Sequence, residues 1–137
     1  MHTLHVVATP IGNLDDVSAR TLSVLGSVGL IAAEDTRVTR RLLSRHGISA
    51  KLTSYHRHSG PSKVAALVTA LEKTDVALVC DAGTPGINDP AADLVRAATD
   101  AGMQVVAVPG PSSVTAAISI SGLNMDGFVF LGFLPRG

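Results

Sequence analysis

The sequence has a single cysteine, Cys80, which excludes an internal disulfide and suits a reducing cytoplasm. It has no net charge either, with 11 Lys and Arg against 11 Asp and Glu. No global field therefore marks it for nucleic acid, and such a partner has to be met by a local patch. No apolar run approaches the roughly 20 residues needed to span a bilayer. The opening MHTLHVVATP is too short, and lacks the basic flank, for a signal peptide. Two nucleotide fingerprints are also missing, the triphosphate-binding GxxxxGKS/T and the dinucleotide-binding GxGxxG at the opening of a first helix. These absences leave a soluble, cytoplasmic chain without a membrane partner as the expectation.

The 137 residues are 46% hydrophobic and 16% charged, enough to fold around a real core. Short apolar runs predict strands over residues 4–8, 30–33, 52–55, 76–80 and 105–108. Helical spacing fills the gaps, over 17–28, 36–46, 64–71 and 90–101. Asp16 or Ser18 is positioned to cap the first helix and Thr36 the second, with Gly47 at its stop. Strands alternating with helices predict an α/β fold with a parallel-rich, five-stranded sheet flanked by helices. The tail breaks the alternation, with a helix over 112–121 and a strand over 128–133. All three phenylalanines fall in the last ten residues, and a strand that aromatic wants a covered face. The expectation is a first domain over 1–111 and the start of a second, truncated one over 112–137, completed by further chain or by a partner.

Three loops are expected to leave strand carboxyl ends: ATPIGN (8–13), DAGTPGINDP (81–90) and PGPSS (109–113). Ligands of open parallel sheets sit at that edge. Glycines such as Gly83 admit a ligand close to the backbone, prolines stiffen the loop, and small hydroxyls add hydrogen bonds. None of the three loops holds a lysine or arginine. The ligand should be small, gripped by main-chain groups and not strongly anionic. S-adenosylmethionine, a zwitterion with a sulfonium, fits this description, whereas NAD and ATP do not.

Together ATPIGNLDD, AEDTRVTRRLL, SYHRHS, DAGTPGINDP, VPGPSS and SGLNMDGFVFLGFLPR make the sequence resemble the small-subunit ribosomal RNA methyltransferase I branch of the tetrapyrrole methylase superfamily. The motifs run in that family's order over nearly the whole chain. Departures are Cys80 and Asn88 where serine is usual, Ala91 where glycine is usual, Asn124-Met125 for the common Pro-Thr, and Ser59 for asparagine. The resemblance implies a homodimeric, two-domain, S-adenosylmethionine-dependent enzyme. Its substrate would be a cytidine 2′-hydroxyl in the decoding centre of small-subunit (16S) ribosomal RNA in the 30S subunit. It also implies cofactor contacts at Pro10, at Ala82, Thr84 and Ile87, and at Ser112 and Ser113. Asp81 either joins them or caps its own turn. A chain holding only part of the cleft is expected to bind cofactor weakly and turn over little.

Methyl transfer to a hydroxyl needs an aligned oxygen and a route for its proton. Glu34 and Asp35 end the second strand beside the crevice, and Asp35 is the stronger candidate base, the alternative being a helix cap or a pair with Arg37. Arg37, Arg41 and Arg45 recur at i, i+4, i+8, with Arg40 alongside. Like charges so spaced cost about 0.2–0.5 kcal/mol per pair, so the stripe wants another reason, and phosphate binding supplies one. A solvated basic face suited to the helix dipole is the alternative. Tyr55 could stack on an extruded base and His56 could shuttle a proton, or both could simply close a strand end. Two histidines without further ligands fall short of a zinc site, so no metal is expected. Two other functions remain in view, a tetrapyrrole carbon methyltransferase, disfavoured by the arginine stripe, and a non-catalytic binding module.

Overall fold

Five strands, β1 (Thr3–Val7), β2 (Leu30–Ala33), β3 (Leu52–Ser54), β4 (Val76–Val79) and β5 (Gln104–Val108), are joined by helices α1 (Ala19–Ser27), α2 (Thr36–Arg45), α3 (Pro61–Leu71) and α4 (Ala91–Asp100). A short helix α5 (Ser113–Ser119) follows β5. The structure is a computed structural model and describes residues 2–135. All strand pairs are parallel, in the order β3-β2-β4-β1-β5. Parallel neighbours cannot be joined by a tight turn, and the α-helical crossovers supply the necessary connections.

The sequence shows why the sheet is covered on both faces. β4 reads VALV and is buried at every position, as a central parallel strand must be. Its side chains alternate between two cores. Val76 and Leu78 join Leu4, Leu67, Leu71 and Leu94 under α3 and α4. Ala77 and Val79 join Val7, Leu25, Ile31, Leu42 and Leu43 under α1 and α2. Among the described residues no helix is long and apolar enough to cross a membrane.

Of the two expected caps of α1, Asp16 and Ser18, the structure uses Ser18, with the Thr21 amide donating to Ser18 Oγ at 2.9 Å. Two local expectations are corrected. Asp35, not Thr36, caps α2, its carboxylate accepting from the Arg37 amide at 2.9 Å. The strand expected over 128–133 does not form: no strand is assigned there, and Val129 and Leu131 are 81% and 89% exposed. A strand is held by the neighbour that completes its hydrogen-bond ladder, which a local apolar run cannot provide.

Candidate functional site

The strand order decides where the loops meet. β4, β1 and β5 are adjacent, so the loops that leave them emerge side by side at the carboxyl edge. There they are bonded to one another. The Thr9 amide donates to Gly83 O at 2.9 Å and the Gly83 amide returns a bond to Thr9 O at 3.0 Å. Thr9 Oγ1 donates to Cys80 O at 3.2 Å, and Thr84 Oγ1 to Pro111 O at 3.0 Å. Glycine makes these approaches possible. Gly83 has φ +84, in the region costly for a residue with a Cβ, and a Cβ on Gly110 would lie 3.0 Å from that of Ala8.

The loop after β2 is tied to the same rim. The Asp81 amide donates to Glu34 Oε2 at 3.2 Å, and the Asp35 amide donates to Asp81 Oδ1 at 3.0 Å. Asp81 therefore bridges two loops and does not cap its own. That task falls to Asp89, a residue that sequence reasoning missed. Both its carboxylate oxygens accept from the Gly86 amide at 2.8 Å, and Oδ1 also accepts from Ala91 at 2.9 Å. The available signal was an aspartate just ahead of a helix start, a common capping position. Next to it Asn88 adopts φ 58, a conformation that asparagine tolerates better than most side chains.

Asp35 is not free to act as a base. Besides capping α2 it takes Nε and Nη2 of Arg37 at 3.0 and 2.7 Å. Those hydrogen bonds, the side-chain ones first, hold its carboxyl down at about 2, and a carboxylate so stabilised is a weak proton acceptor. Tyr55 is corrected as well. Its ring is 2% exposed and its hydroxyl donates to Pro90 O at 2.9 Å, so it ties β3 to the start of α4 and offers no face to a base. His56 is half-buried; its amide donates to Ser59 Oγ at 3.0 Å and its Nδ1 accepts from the His58 amide at 3.2 Å. Cys80 is buried, and chiefly that burial, with the nearby Asp89 charge, pushes its thiol up to about 12. It is a structural thiol that donates to Ala82 O at 3.3 Å.

The structure brings Pro10, Asp81, Ala82, Gly83, Thr84, Ser112 and Ser113 to this rim. Ile87 stands on the same second loop, 51% exposed. Along α2 the arginines divide. Arg37 pairs with Asp35 at 2.7 Å and Arg45 with Asp15 at 3.0 Å, while Arg40 and Arg41 form no ion pair among the described residues. Arg41 lines a cavity of about 300 Å³ whose other walls are Pro10, Ile11 and Gly12, Leu14, Val38, and Asp81 and Ala82. His56 is not among its lining residues. The rim over β4, β1 and β5 thus holds no lysine or arginine, and its basic side chains lie only toward α2.

The fold has a known counterpart, and the sequence has named relatives. A crystal structure of uroporphyrin-III-C-methyltransferase from Thermus thermophilus superposes with a TM-score of 0.67 at 22% identity, over 93% of this chain and 55% of that one. A ribosomal RNA small subunit methyltransferase I from Xylella fastidiosa is 52% identical over 134 residues, which are 97% of this chain and 49% of that protein. A protein of the same description from Mesorhizobium japonicum is 49% identical over 133 residues, 96% of this chain and 45% of its own length. The chain spans about half the length of these curated relatives. The family profile described as Tetrapyrrole (Corrin/Porphyrin) Methylases matches residues 3–134. With that match over nearly all its length, the chain belongs to the tetrapyrrole methylase family.

Proposed function

We propose that the chain is part of an S-adenosylmethionine-dependent methyltransferase that modifies the 2′-hydroxyl of a cytidine in the decoding centre of small-subunit ribosomal RNA. The observation that carries this reading is the meeting of three loops without lysine or arginine across β4, β1 and β5, locked by the paired Thr9 and Gly83 bonds. Relatives named for small-subunit ribosomal RNA methylation, at about half sequence identity, favour RNA over a tetrapyrrole as the acceptor. The enzyme would act in the cytoplasm on the 30S subunit, as a homodimer.

The rim fits the cofactor chemically. Pro10, Ala82, Gly83, Thr84, Ile87, Ser112 and Ser113 present small or apolar surface with backbone groups close beneath it, and no side-chain cation that would repel a sulfonium. When bound, S-adenosylmethionine supplies a methyl group already activated by its sulfonium. What remains for the protein is to align an acceptor oxygen and stabilise the loss of its proton. Asp81 is the carboxylate best placed for this. It lines the cavity beside the rim, and its Oδ1 is fixed by the Asp35 amide. Asp35 and Glu34 then serve as the groups that hold Asp81 in place.

The test is transfer of tritium from labelled S-adenosylmethionine to 30S subunits that lack the modification. Because the chain spans about half of its relatives' length, it is assayed both alone and joined at residue 135 to the C-terminal half of the Xylella fastidiosa relative. The expected result is label on a cytidine ribose with the joined protein and little with the chain alone. Label on a base, or none with either protein, would refute the proposal.

A further inference from the structure

We propose that the 300 Å³ cavity between the first loop and α2 seats one extruded nucleotide of the RNA, with its phosphate on Arg41. The inference rests on the proposed RNA 2′-O-methylation and adds the place where the acceptor binds and the cation that holds it.

The first argument is charge. Of the three arginines aligned along α2, the outer two are neutralised, Arg37 by Asp35 and Arg45 by Asp15. The middle one, Arg41, makes no ion pair among the described residues and lines the cavity. A guanidinium beside a concave apolar surface is suited to a phosphate, which it can meet with two parallel hydrogen bonds. The second argument is surface. Ile11 and Val38, two side chains that would ordinarily be covered, line this cavity while 37% and 38% exposed. They offer apolar contact to a sugar or a base face. The third is size: about 300 Å³ is at the small end of ligand pockets, roughly 300–1,000 Å³. It admits one residue pulled out of its stack and excludes a duplex. The last is position. The far wall is Asp81 and Ala82, on the loop assigned to the cofactor, so a nucleotide seated here lies against both Asp81 and the methyl donor's loop.

Binding of a fluorescent RNA oligonucleotide of decoding-centre sequence, titrated over a salt series, tests the site, with S-adenosylmethionine affinity measured in parallel. Loss of one phosphate contact from a single strand lowers the salt slope by about 0.7, which at roughly 0.15 M salt is about fourfold in affinity. Arg41→Gln should show both changes and leave cofactor affinity untouched, whereas Arg41→Lys should retain the slope. Val38→Phe, which fills the cavity without altering charge, should weaken RNA binding and spare the cofactor. The proposal is overturned if Arg41→Gln weakens the cofactor instead, if Arg45→Gln costs as much RNA affinity, or if Val38→Phe has no effect. A wild-type chain with no salt-dependent RNA binding would refute the RNA reading itself, and with it this site; wild-type binding that Arg41→Gln leaves unchanged would refute only the site.

Discussion

Gly83 is the joint of the candidate site, and replacing it with alanine should separate rim geometry from ordinary packing. The residue sits at φ +84, and its backbone makes both bonds to Thr9. Space is not the obstacle, since an added Cβ would find Ile11 Cγ2 at 3.5 Å and Pro111 O at 3.7 Å, ordinary contacts. The cost is conformational, about 1–2 kcal/mol for a residue with a Cβ held in the left-handed region. For a chain of this size that lowers Tm by about 4–8 °C. The alternative open to the variant is to relax φ and give up the paired bonds, each with a net contribution of about 1 kcal/mol, so relaxation is no escape. Gly12→Ala is the matched control on the same rim. It has no positive φ, and nothing lies within 4 Å of the added Cβ, so it should be neutral or stabilising by about 0.4–1 kcal/mol through the unfolded chain. Thermal and urea unfolding followed by circular dichroism measure both. Equal stabilities for the two variants would show that the second loop is not held in the conformation described, and the locked-rim argument would fail.

Tyr55→Phe removes the hydroxyl bond to Pro90 O and should cost about 0.5–1.5 kcal/mol in urea unfolding; an unchanged stability would remove that bond from the account. Glu34→Ala frees the Asp81 amide and should weaken S-adenosylmethionine binding roughly fivefold, about 1 kcal/mol, whereas Glu34→Gln keeps an acceptor and should bind near normally. Loss in both, or in neither, would argue against a positioning role. The carboxyl of Asp35 falls from its ordinary 3.8 to about 2 on folding. Its contribution to stability is therefore complete above about pH 4 and disappears as pH falls toward 2. In acid titrations Asp35→Asn should flatten the stability curve in that window, and an unchanged curve would remove the Arg37 pairing from the account.

Much of this was legible in the sequence because it is local. Apolar runs of four or five residues, the first stopped by Thr9-Pro10 and the last by Pro109-Gly110, marked the strands, and their alternation with helices marked a parallel sheet. Limits of legibility follow from sequence separation. The N-cap of α2 read as Thr36 instead of Asp35 because the two are both good capping residues side by side. Arg45 read as a free cation because its partner, Asp15, is 30 residues away. Tyr55 stayed open between stacking and closing a strand end because the Pro90 carbonyl that holds it is 35 residues away. The apolar run over 128–133 read as a strand because composition says nothing about whether a neighbour is present to pair with it.

The insertion of β4 between β2 and β1 explains why one loop bears so much of the site. Had the strands followed chain order, β1 and β4 would not be neighbours, and the loop after β4 could not bond to Thr9. As built, that loop touches the β1 loop through Gly83, the β5 loop through Thr84 and the β2 loop through Asp81. Its two ends thus face different chemistry, with Ala82 to Ile87 over the uncharged strands and Asp81 beside α2 and Arg41. These ties fix the loops relative to one another, and loops held in that way lower the entropic cost of binding. The same ties make the borders between cofactor and acceptor a property of strand order. Variants away from the shared wall of Pro10, Asp81 and Ala82 should therefore change affinity for one ligand alone, and only variants of that wall and of the two partners of Asp81 should change both.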